Sequence, residues 1–149
     1  MPEKRTIERA RRDKREGKAA STQAGEFVRE EMDHIREGKH GAKNTKQAIA
    51  IGLSKARRAG VDLKPPKEGK ASKRTRKQAE RDVRRGRAHK KTSSRRSRAT
   101  SKALKTQGRS AASRKNLSRQ ARTAARKRSS ASRSAAARKA ARTRQRQAA

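Results

Sequence analysis

Aromatic residues are almost missing from this sequence: Phe27 is the only one, and tryptophan and tyrosine do not occur. RNA-recognition sheets and oligonucleotide-binding barrels stack bases on several exposed aromatic side chains. Because Phe27 lies on the apolar face of a predicted helix, these modes of base recognition are excluded. Cysteine is absent as well, which excludes disulfides and thiol chemistry.

Acidic residues are missing from the C-terminal part of the chain. None follows Asp82, whereas residues 83–149 contain 24 of the 48 Lys and Arg residues. The net charge of +35 is therefore concentrated in a segment without internal counter-charge, which is attracted to polyanions and above all to nucleic acid. The acidic residues between Glu26 and Glu37 are a second candidate partner for this segment.

Long apolar runs are also missing. None approaches the roughly 18 residues that span a bilayer, so we expect no membrane span. The N-terminal residues lack the apolar region of a secretory signal, and we expect a cytoplasmic protein. Low hydrophobicity (28%) with high net charge is typical of disorder. The predicted fold class is mostly α with extensive disorder: a small helix–loop–helix hairpin, isolated basic helices and a disordered polycationic tail.

The large apolar side chains concentrate in residues 22–63. Their helical spacing predicts one helix over about 24–37 and a second that begins near Asn44, with Gln47 completing a capping box. Gly60 is placed to end the second helix in a Schellman motif. The predicted hairpin core consists of Phe27, Val28, Met32, Ile35, Ile49, Leu53 and Ala56. A hairpin of about 40 residues is rarely stable alone, so we expect it to self-associate or to dock on a partner.

Composition divides the chain into four predicted parts. Residues 1–20 form a mixed-charge N-terminal arm whose helix has no apolar face to bury. Residues 22–63 form the hairpin, and residues 64–90 form a basic linker with a short helix. Residues 91–149 form a disordered tail rich in Arg, Ala and Ser.

The predicted nucleic-acid-binding residues are basic side chains of the linker, the tail and the second hairpin helix. They are Arg84, Arg85, Arg87, Arg95, Arg96, Arg98, Arg114, Lys115, Arg126, Lys127, Arg128, Arg138, Lys139, Lys55, Arg57 and Arg58. Arginine predominates, and its planar fork suits phosphate and narrow minor grooves. An alternative to nucleic-acid binding is a tail that is merely solvated and aids solubility. Sequence reading by a helix over 46–58 is disfavoured, because the loop over 38–43 is long and no third helix braces the pair.

Metal binding and catalysis have little support in the sequence. His34 shares a helical face with Glu30 and Glu37, but three such residues on one short helix more often form a solvated polar face. The other histidines are His40 and His89. We therefore expect no metal and no cofactor. No nucleophile–base pair, glycine-rich phosphate loop or convergent carboxylate pair stands out, so we expect neither an enzyme nor a small-molecule substrate.

The tripeptide Lys39-His40-Gly41 is followed by the block K-Q-A-I-A-I-G-L-S-K-A-R-R-A-G over 46–60. This pattern resembles a family of small basic bacterial proteins of unknown function, whose core reads K-H-G and then K-Q-A-I-A-I-x-L-S-x-A-R-[KR]-A-G. The resemblance covers about 40 of 149 residues and implies a bacterial source and a structural unit over 25–63, without catalytic or cofactor residues. The tail is similar in composition to bacterial histone-H1-like proteins, which coat and compact DNA, but it lacks proline and favours Arg over Lys.

Together these features predict a non-enzymatic, sequence-nonspecific DNA-binding protein of histone-like, nucleoid-associated type. Its tail would act by neutralising phosphates. One alternative is an RNA- or ribosome-associated basic protein, since Arg-rich arms also order on structured RNA. Another is a protein adaptor that docks through the apolar side chains of the hairpin.

Overall fold

Helix is the regular secondary structure of the residues that the computed structural model describes, which are 2–88 and 93–148. The helices are α1 (Lys4–Arg15), α2 (Ala20–Arg36), α3 (Thr45–Arg58), α4 (Lys73–Arg87), α5 (Ser94–Lys105), a 3₁₀ turn (Ser110–Ala112), α6 (Arg114–Arg126) and α7 (Ser130–Ala148). No strand occurs in these two ranges.

The prediction of extensive disorder, with a disordered tail over 91–149, is wrong, because the structure is 73% helical. Alanine and arginine are strong helix formers, and no proline follows Pro66 to interrupt them. Helices satisfy their backbone hydrogen bonds locally, so a low apolar content does not prevent their formation. The predicted boundary between residues 90 and 91 lies outside the described residues.

The described helices form two compact units, which divide between Ser113 and Arg114. The first unit contains α1 to α5 and the 3₁₀ turn, and the second contains α6 and α7. The four-part division of the chain given above remains a prediction.

The first unit is built from helices that pack on their neighbours in the chain: α1 on α2, α2 on α3 and α3 on α4. Small side chains dominate the contacts. The central cluster consists of Ala10, Ala24, Phe27 and Ala56, surrounded by Ile7, Leu53, Val61 and Leu63. Helices that meet through alanine approach closely, so dispersion contacts form although few large apolar groups are available.

Helix α1 has a packing face, contrary to the prediction for the N-terminal arm. Thr6, Ala10 and Asp13 follow each other at intervals of four and three residues, and all three are buried. This spacing places them on one side of the helix. The prediction was wrong because it took Ile7 and Ala10 as too few apolar residues to form a face, whereas Thr6 and Ala10 are small enough to be buried against α2.

The ends of α3 form as predicted. Asn44 Oδ1 accepts a hydrogen bond from the Gln47 amide at 2.9 Å, while Gln47 Oε1 accepts from the Lys43 amide at 2.7 Å. The reciprocal bond therefore reaches one residue further back than a standard capping box. At the other end Gly60 has φ +90° and the Val61 amide donates to the Ala56 carbonyl at 3.1 Å, which is the predicted Schellman motif.

The contact between α2 and α3 is close. A Cβ atom at Gly52 would lie 2.7 Å from Val28 Cα, so the backbones approach at a distance that only glycine permits. Of the predicted hairpin core, the buried side chains are Phe27, Met32, Ile35 and Ala56, and the half-buried ones are Val28, Ile49 and Leu53.

Helix α4 covers the C-terminal half of α3. Asp82 is 2% exposed and accepts a hydrogen bond from Ser54 Oγ at 2.7 Å. Gly86 lies against the carbonyl oxygen of Arg57, where a Cβ atom would clash. The hairpin is therefore braced by α1 on one side and by α4 on the other, so the expectation that no third helix supports it is wrong. Its self-association remains a prediction.

Within the two described ranges, no helix combines the length and the apolar character that crossing a membrane requires.

Candidate nucleic-acid interface

Residues 104–112, which we call the docking segment, lie against the loop between α2 and α3. The Gly41 amide donates a hydrogen bond to the Leu104 carbonyl at 2.9 Å, and the Ala42 amide donates to the Gly108 carbonyl at 3.1 Å. A Cβ atom at Gly41 would clash with the backbone of the docking segment. The docking segment therefore packs so closely on Gly41 that no larger residue would fit at this position.

Two side chains of the hairpin extend the same contact. Thr45 Oγ1 donates to the Ala111 carbonyl at 2.7 Å, and Arg36 Nε donates to the Ala112 carbonyl at 3.2 Å. Ala111 and Ala112 are each 1% exposed. These contacts all use carbonyl oxygens of the docking segment. The segment is therefore anchored by its backbone, while the basic side chains of the adjoining helix α5 stay exposed.

Basic residues on α5 fall on one face of the helix. Arg95, Arg98, Lys102 and Lys105 are separated by three, four and three residues, and all four are exposed. Residues at such intervals are neighbours on a helix surface. We call such a row of four exposed cations a basic stripe.

Helix α6 carries a second basic stripe, with Lys115, Arg119, Arg122 and Arg126 at intervals of four, three and four residues. The stripe is about 16 Å long at 1.5 Å per residue. A duplex of that length carries about ten phosphate charges. In the second unit no acidic residue opposes this stripe, since residues 114–149 hold 13 Lys and Arg and no Asp or Glu.

Helix α4 carries a third stripe, formed by Arg74, Lys77, Arg81 and Arg84, all exposed. Its opposite face, with Ala79 and the other buried residues of the helix, packs against α3. On α7 the basic residues are exposed but distributed around the helix; they are Arg133, Arg138, Lys139, Arg142, Arg144 and Arg146.

The stripes weaken the helices that carry them. Like charges at intervals of three or four residues destabilise a helix by roughly 0.2–0.5 kcal/mol per pair, so the three neighbouring pairs of one stripe cost about 1 kcal/mol. Folding alone therefore does not account for the stripes. An external anion that lies along the row would remove this repulsion.

Most of the predicted binding residues of the linker and tail are exposed. Those on helices are Arg84, Arg87, Arg95, Arg96, Arg98, Arg114, Lys115, Arg126, Arg138 and Lys139, and those between α6 and α7 are Lys127 and Arg128. Arg85 is half-buried. Seven stripe residues are not among the predicted binding residues: Arg74, Lys77, Arg81, Lys102, Lys105, Arg119 and Arg122. Their intervals of three and four residues were visible in the sequence, but they become informative only once the segments are known to be helical.

The predicted binding residues of α3 serve the fold. Lys55 Nζ lies 2.6 Å from Glu31 Oε2. Arg57 is buried and its Nε donates to the Leu63 carbonyl at 3.2 Å. The pKa of Arg57 is lowered, because the desolvation of its guanidinium outweighs the opposing effect of the nearby Asp82 charge. Arg58 Nε lies 3.8 Å from Asp82 Oδ1. A role of these three side chains in nucleic-acid binding remains a prediction, but the fold already occupies them.

The acidic residues of α2 pair with cations of the N-terminal half of the chain. Glu26 lies 3.7 Å from Arg9, and Glu37 lies 2.9 Å from Lys39. Among the described residues, no ion pair uses a Lys or Arg beyond Arg76. The ion pairs of these acids are thus formed within the first unit, without the cations of α5, α6 and α7.

Helix α3 is poorly placed to read a DNA groove. It packs on α2 and on α4, and its first residue, Thr45, is buried against the docking segment. A recognition helix must present its N-terminal side chains to base edges. These contacts leave little of α3 free for that purpose.

Comparison of the chain with protein-family models, with curated proteins and with solved structures finds no match.

Proposed function

We propose that this protein binds DNA without sequence specificity and neutralises its phosphates through the basic stripes of α4, α5 and α6. The observation that carries the proposal is the separation of its cations into two groups. The ion pairs among the described residues use cations of the first 76 residues. Most of the described Lys and Arg residues beyond them are exposed, and those of α4, α5 and α6 stand in rows along their helices. A row of cations is opposite in sign to the rows of phosphates along a duplex and can lie against them.

The scarcity of aromatic side chains supports binding through the backbone of the nucleic acid. Phe27 is 1% exposed and belongs to the core, so it cannot stack on a base. Phosphate contacts position a protein on DNA but carry no sequence information. Base identity should therefore have little influence on affinity, as in histone-like proteins that coat the nucleoid.

The salt dependence of binding tests this mechanism. If about eight phosphates are engaged, the logarithm of the association constant falls with a slope of about −7 against the logarithm of the salt concentration. The affinity then falls on the order of 10⁴-fold between 50 and 200 mM salt. Fluorescence anisotropy with a labelled 30-base-pair duplex measures the slope. An affinity that hardly changes with salt would refute phosphate neutralisation.

A stripe variant locates the interface. Replacing Lys115, Arg119, Arg122 and Arg126 by glutamine removes four contacts and should make the slope less steep by about 3 to 4. The matched control replaces the three arginines by lysine, which keeps the charge and should leave the slope within about 1 of the wild-type value. An unchanged slope in the glutamine variant would exclude α6 from the interface.

The exposed cations would also suit structured RNA. Competition of the bound duplex by an equal concentration of phosphates in ribosomal RNA, at matched salt, separates the two polyanions. If ribosomal RNA displaces the labelled duplex at a much lower phosphate concentration than unlabelled DNA does, the preferred partner is RNA and the DNA-binding proposal is wrong. The family resemblance over 46–60 remains a prediction and carries no part of this argument.

A further inference from the structure

A cluster of one carboxylate and two imidazoles lies beside the loop between α2 and α3. Glu31, His34 and His40 each offer one ligand atom, and these atoms all lie within 4.8 Å of one another. Two of the residues stand on α2, and His40 belongs to the loop. We call them the Glu–His cluster. It differs from the helical face of His34 with Glu30 and Glu37 that the sequence suggested, because the fold adds His40.

Glu31 is the buried centre of the cluster. Its side chain is 0% exposed, and neither carboxylate oxygen accepts a hydrogen bond. Lys55 Nζ lies 2.6 Å from Oε2 and His40 Nε2 lies 3.3 Å from Oε1, but without hydrogen-bond geometry. A buried carboxylate that accepts no hydrogen bond is costly unless a cation coordinates it.

Local charge also favours an additional cation. Glu30, at 3% exposure of its side chain, shares Lys55 with Glu31, at 3.6 Å from Nζ. Two buried carboxylates therefore face one ammonium group. Lys39 pairs with Glu3 and Glu37 on the exposed side of the helix and does not reach the buried pair. Among the described residues, Lys55 is therefore the one Lys or Arg that forms an ion pair with these two carboxylates, and a further cation beside Glu31 would be stabilising.

The hydrogen bonds of the histidines prepare them as ligands. His40 Nδ1 lies 3.1 Å from the Gly41 carbonyl oxygen. A carbonyl only accepts, so Nδ1 carries the proton and the lone pair of the neutral ring is on Nε2, which is the atom nearest Glu31. His34 Nε2 lies 2.9 Å from Glu3 Oε1, and the carboxylate likewise fixes the orientation of this ring. Such outer partners are typical of histidines that bind a metal.

From this arrangement we propose that the Glu–His cluster binds a divalent transition-metal ion of the zinc type. Two imidazole nitrogens and a carboxylate are a donor set that zinc accepts and that calcium and magnesium do not favour. The ion would balance the second buried carboxylate and would link α2 to the loop that receives the docking segment. It is independent of the DNA-binding proposal, because no stripe residue takes part.

Zinc binding by the full-length, chelator-treated protein tests the proposal in the absence of DNA. Calorimetric titration with Zn²⁺ should show one equivalent bound. At a free Zn²⁺ concentration of 100 times Kd, the unfolding equilibrium constant should fall about 100-fold. Replacement of His34 or His40 by glutamine should weaken binding by more than the 10–100-fold that loss of an outer partner costs. His89→Gln is the matched control, because it removes the remaining histidine, which lies outside the described residues.

Three results would overturn the proposal: no bound zinc, equal zinc affinity in all the histidine variants, or a loss confined to the His89 variant. A further measurement needs no variant. Co²⁺ bound by imidazole in a four-coordinate site gives a visible absorption band. One equivalent of Zn²⁺ should displace the Co²⁺ ion and abolish this band. Absence of the band would also reject the site, even if a variant failed to fold.

Discussion

Replacement of Gly41 by alanine should release the docking segment from the hairpin. The added Cβ atom would lie 2.6 Å from the Gly108 carbonyl oxygen and would clash more severely with the backbone of Gln107. Both obstacles are main-chain atoms, so a change of side-chain rotamer cannot relieve them. Residues 104–112 must therefore move away as a whole.

The size of the effect follows from the contacts that are lost. The exposed Arg36 side chain can exchange its bond to the Ala112 carbonyl for water at little cost. Release of the segment also breaks the three hydrogen bonds of the Gly41 amide, the Ala42 amide and Thr45 Oγ1. At about 1 kcal/mol each, they contribute roughly 3 kcal/mol. The segment regains conformational freedom, but Ala111 and Ala112 lose their burial, and the two terms oppose each other. The equilibrium for local opening should therefore increase on the order of 10²-fold.

Amide hydrogen exchange measures this opening directly, because the Gly41 and Ala42 amides bond to the docking segment. Both should exchange on the order of 10²-fold faster in the variant. Gly25→Ala is the matched control: Gly25 is exposed on α2 with open space around it. That change should stabilise the helix by about 0.5–1 kcal/mol and leave the two amides unaffected.

Unchanged exchange of both amides in the Gly41 variant would refute the inferred docking. The variant should also keep the salt dependence of DNA binding within about 1 of the wild-type slope, since the docking segment is held through carbonyl groups and not through its cations. A large change of that slope would show that docking and DNA binding are coupled.

Three further substitutions test the interior of the first unit by urea unfolding. Lys55→Met should cost about 3–5 kcal/mol because it leaves Glu31 buried and uncompensated; a second change, Glu31→Gln, should restore part of the loss, and equal stability of wild type and single variant would contradict the ion pair. Phe27→Ala removes the largest buried apolar side chain and should cost about 3–5 kcal/mol, whereas a cost below 1 kcal/mol would mean that the alanine cluster alone supports the core. Asp82→Ala removes both the acceptor of the Ser54 hydroxyl and the carboxylate that faces Arg58, and it should cost about 1–3 kcal/mol. In a Ser54→Ala background the same change should cost less, because the Ser54 hydrogen bond is already absent; equal costs in the two backgrounds would contradict that bond.

Local features of the fold could be predicted from the sequence because they depend on a few adjacent residues. Asn44 and Gln47 cap α3, and Gly60 ends it, through hydrogen bonds within one turn of helix. The close approach at Gly52 likewise depends on a single small residue, because a Cβ atom there would clash with Val28. Such signals need no knowledge of the rest of the chain.

Contacts made by small side chains and by the backbone could not be predicted. The packing face of α1 contains Thr6, Ala10 and Asp13, none of which stands out in a search for large apolar residues. The docking segment is held at its carbonyl oxygens, which every sequence possesses. Composition therefore underestimated the order of the chain.

The candidate site also combines features that the sequence predicts with features that depend on the fold. The concentration of positive charge beyond Asp82 was evident, and it indicated nucleic acid from the start. The rows along α5 and α6 depend on the helical state of the segments, which the charge had been taken to oppose. The opposite error arose in α3, where Lys55 and Arg57 looked available but are held by Glu31 and by the Leu63 carbonyl.

The distribution of charge explains why the protein can fold while it keeps a strongly cationic surface. All 13 acidic residues lie in the first 82 residues, together with 24 of the basic ones, and the ion pairs of the first unit are formed there. The described cations beyond Asp82 take part in none of those pairs, and those in rows along a helix reduce its stability through their mutual repulsion. A protein that tolerates this cost gains where the repulsion is relieved, which is along a polyanion. Under the proposed function, the basic stripes are surfaces that a polyanion stabilises by relieving this repulsion.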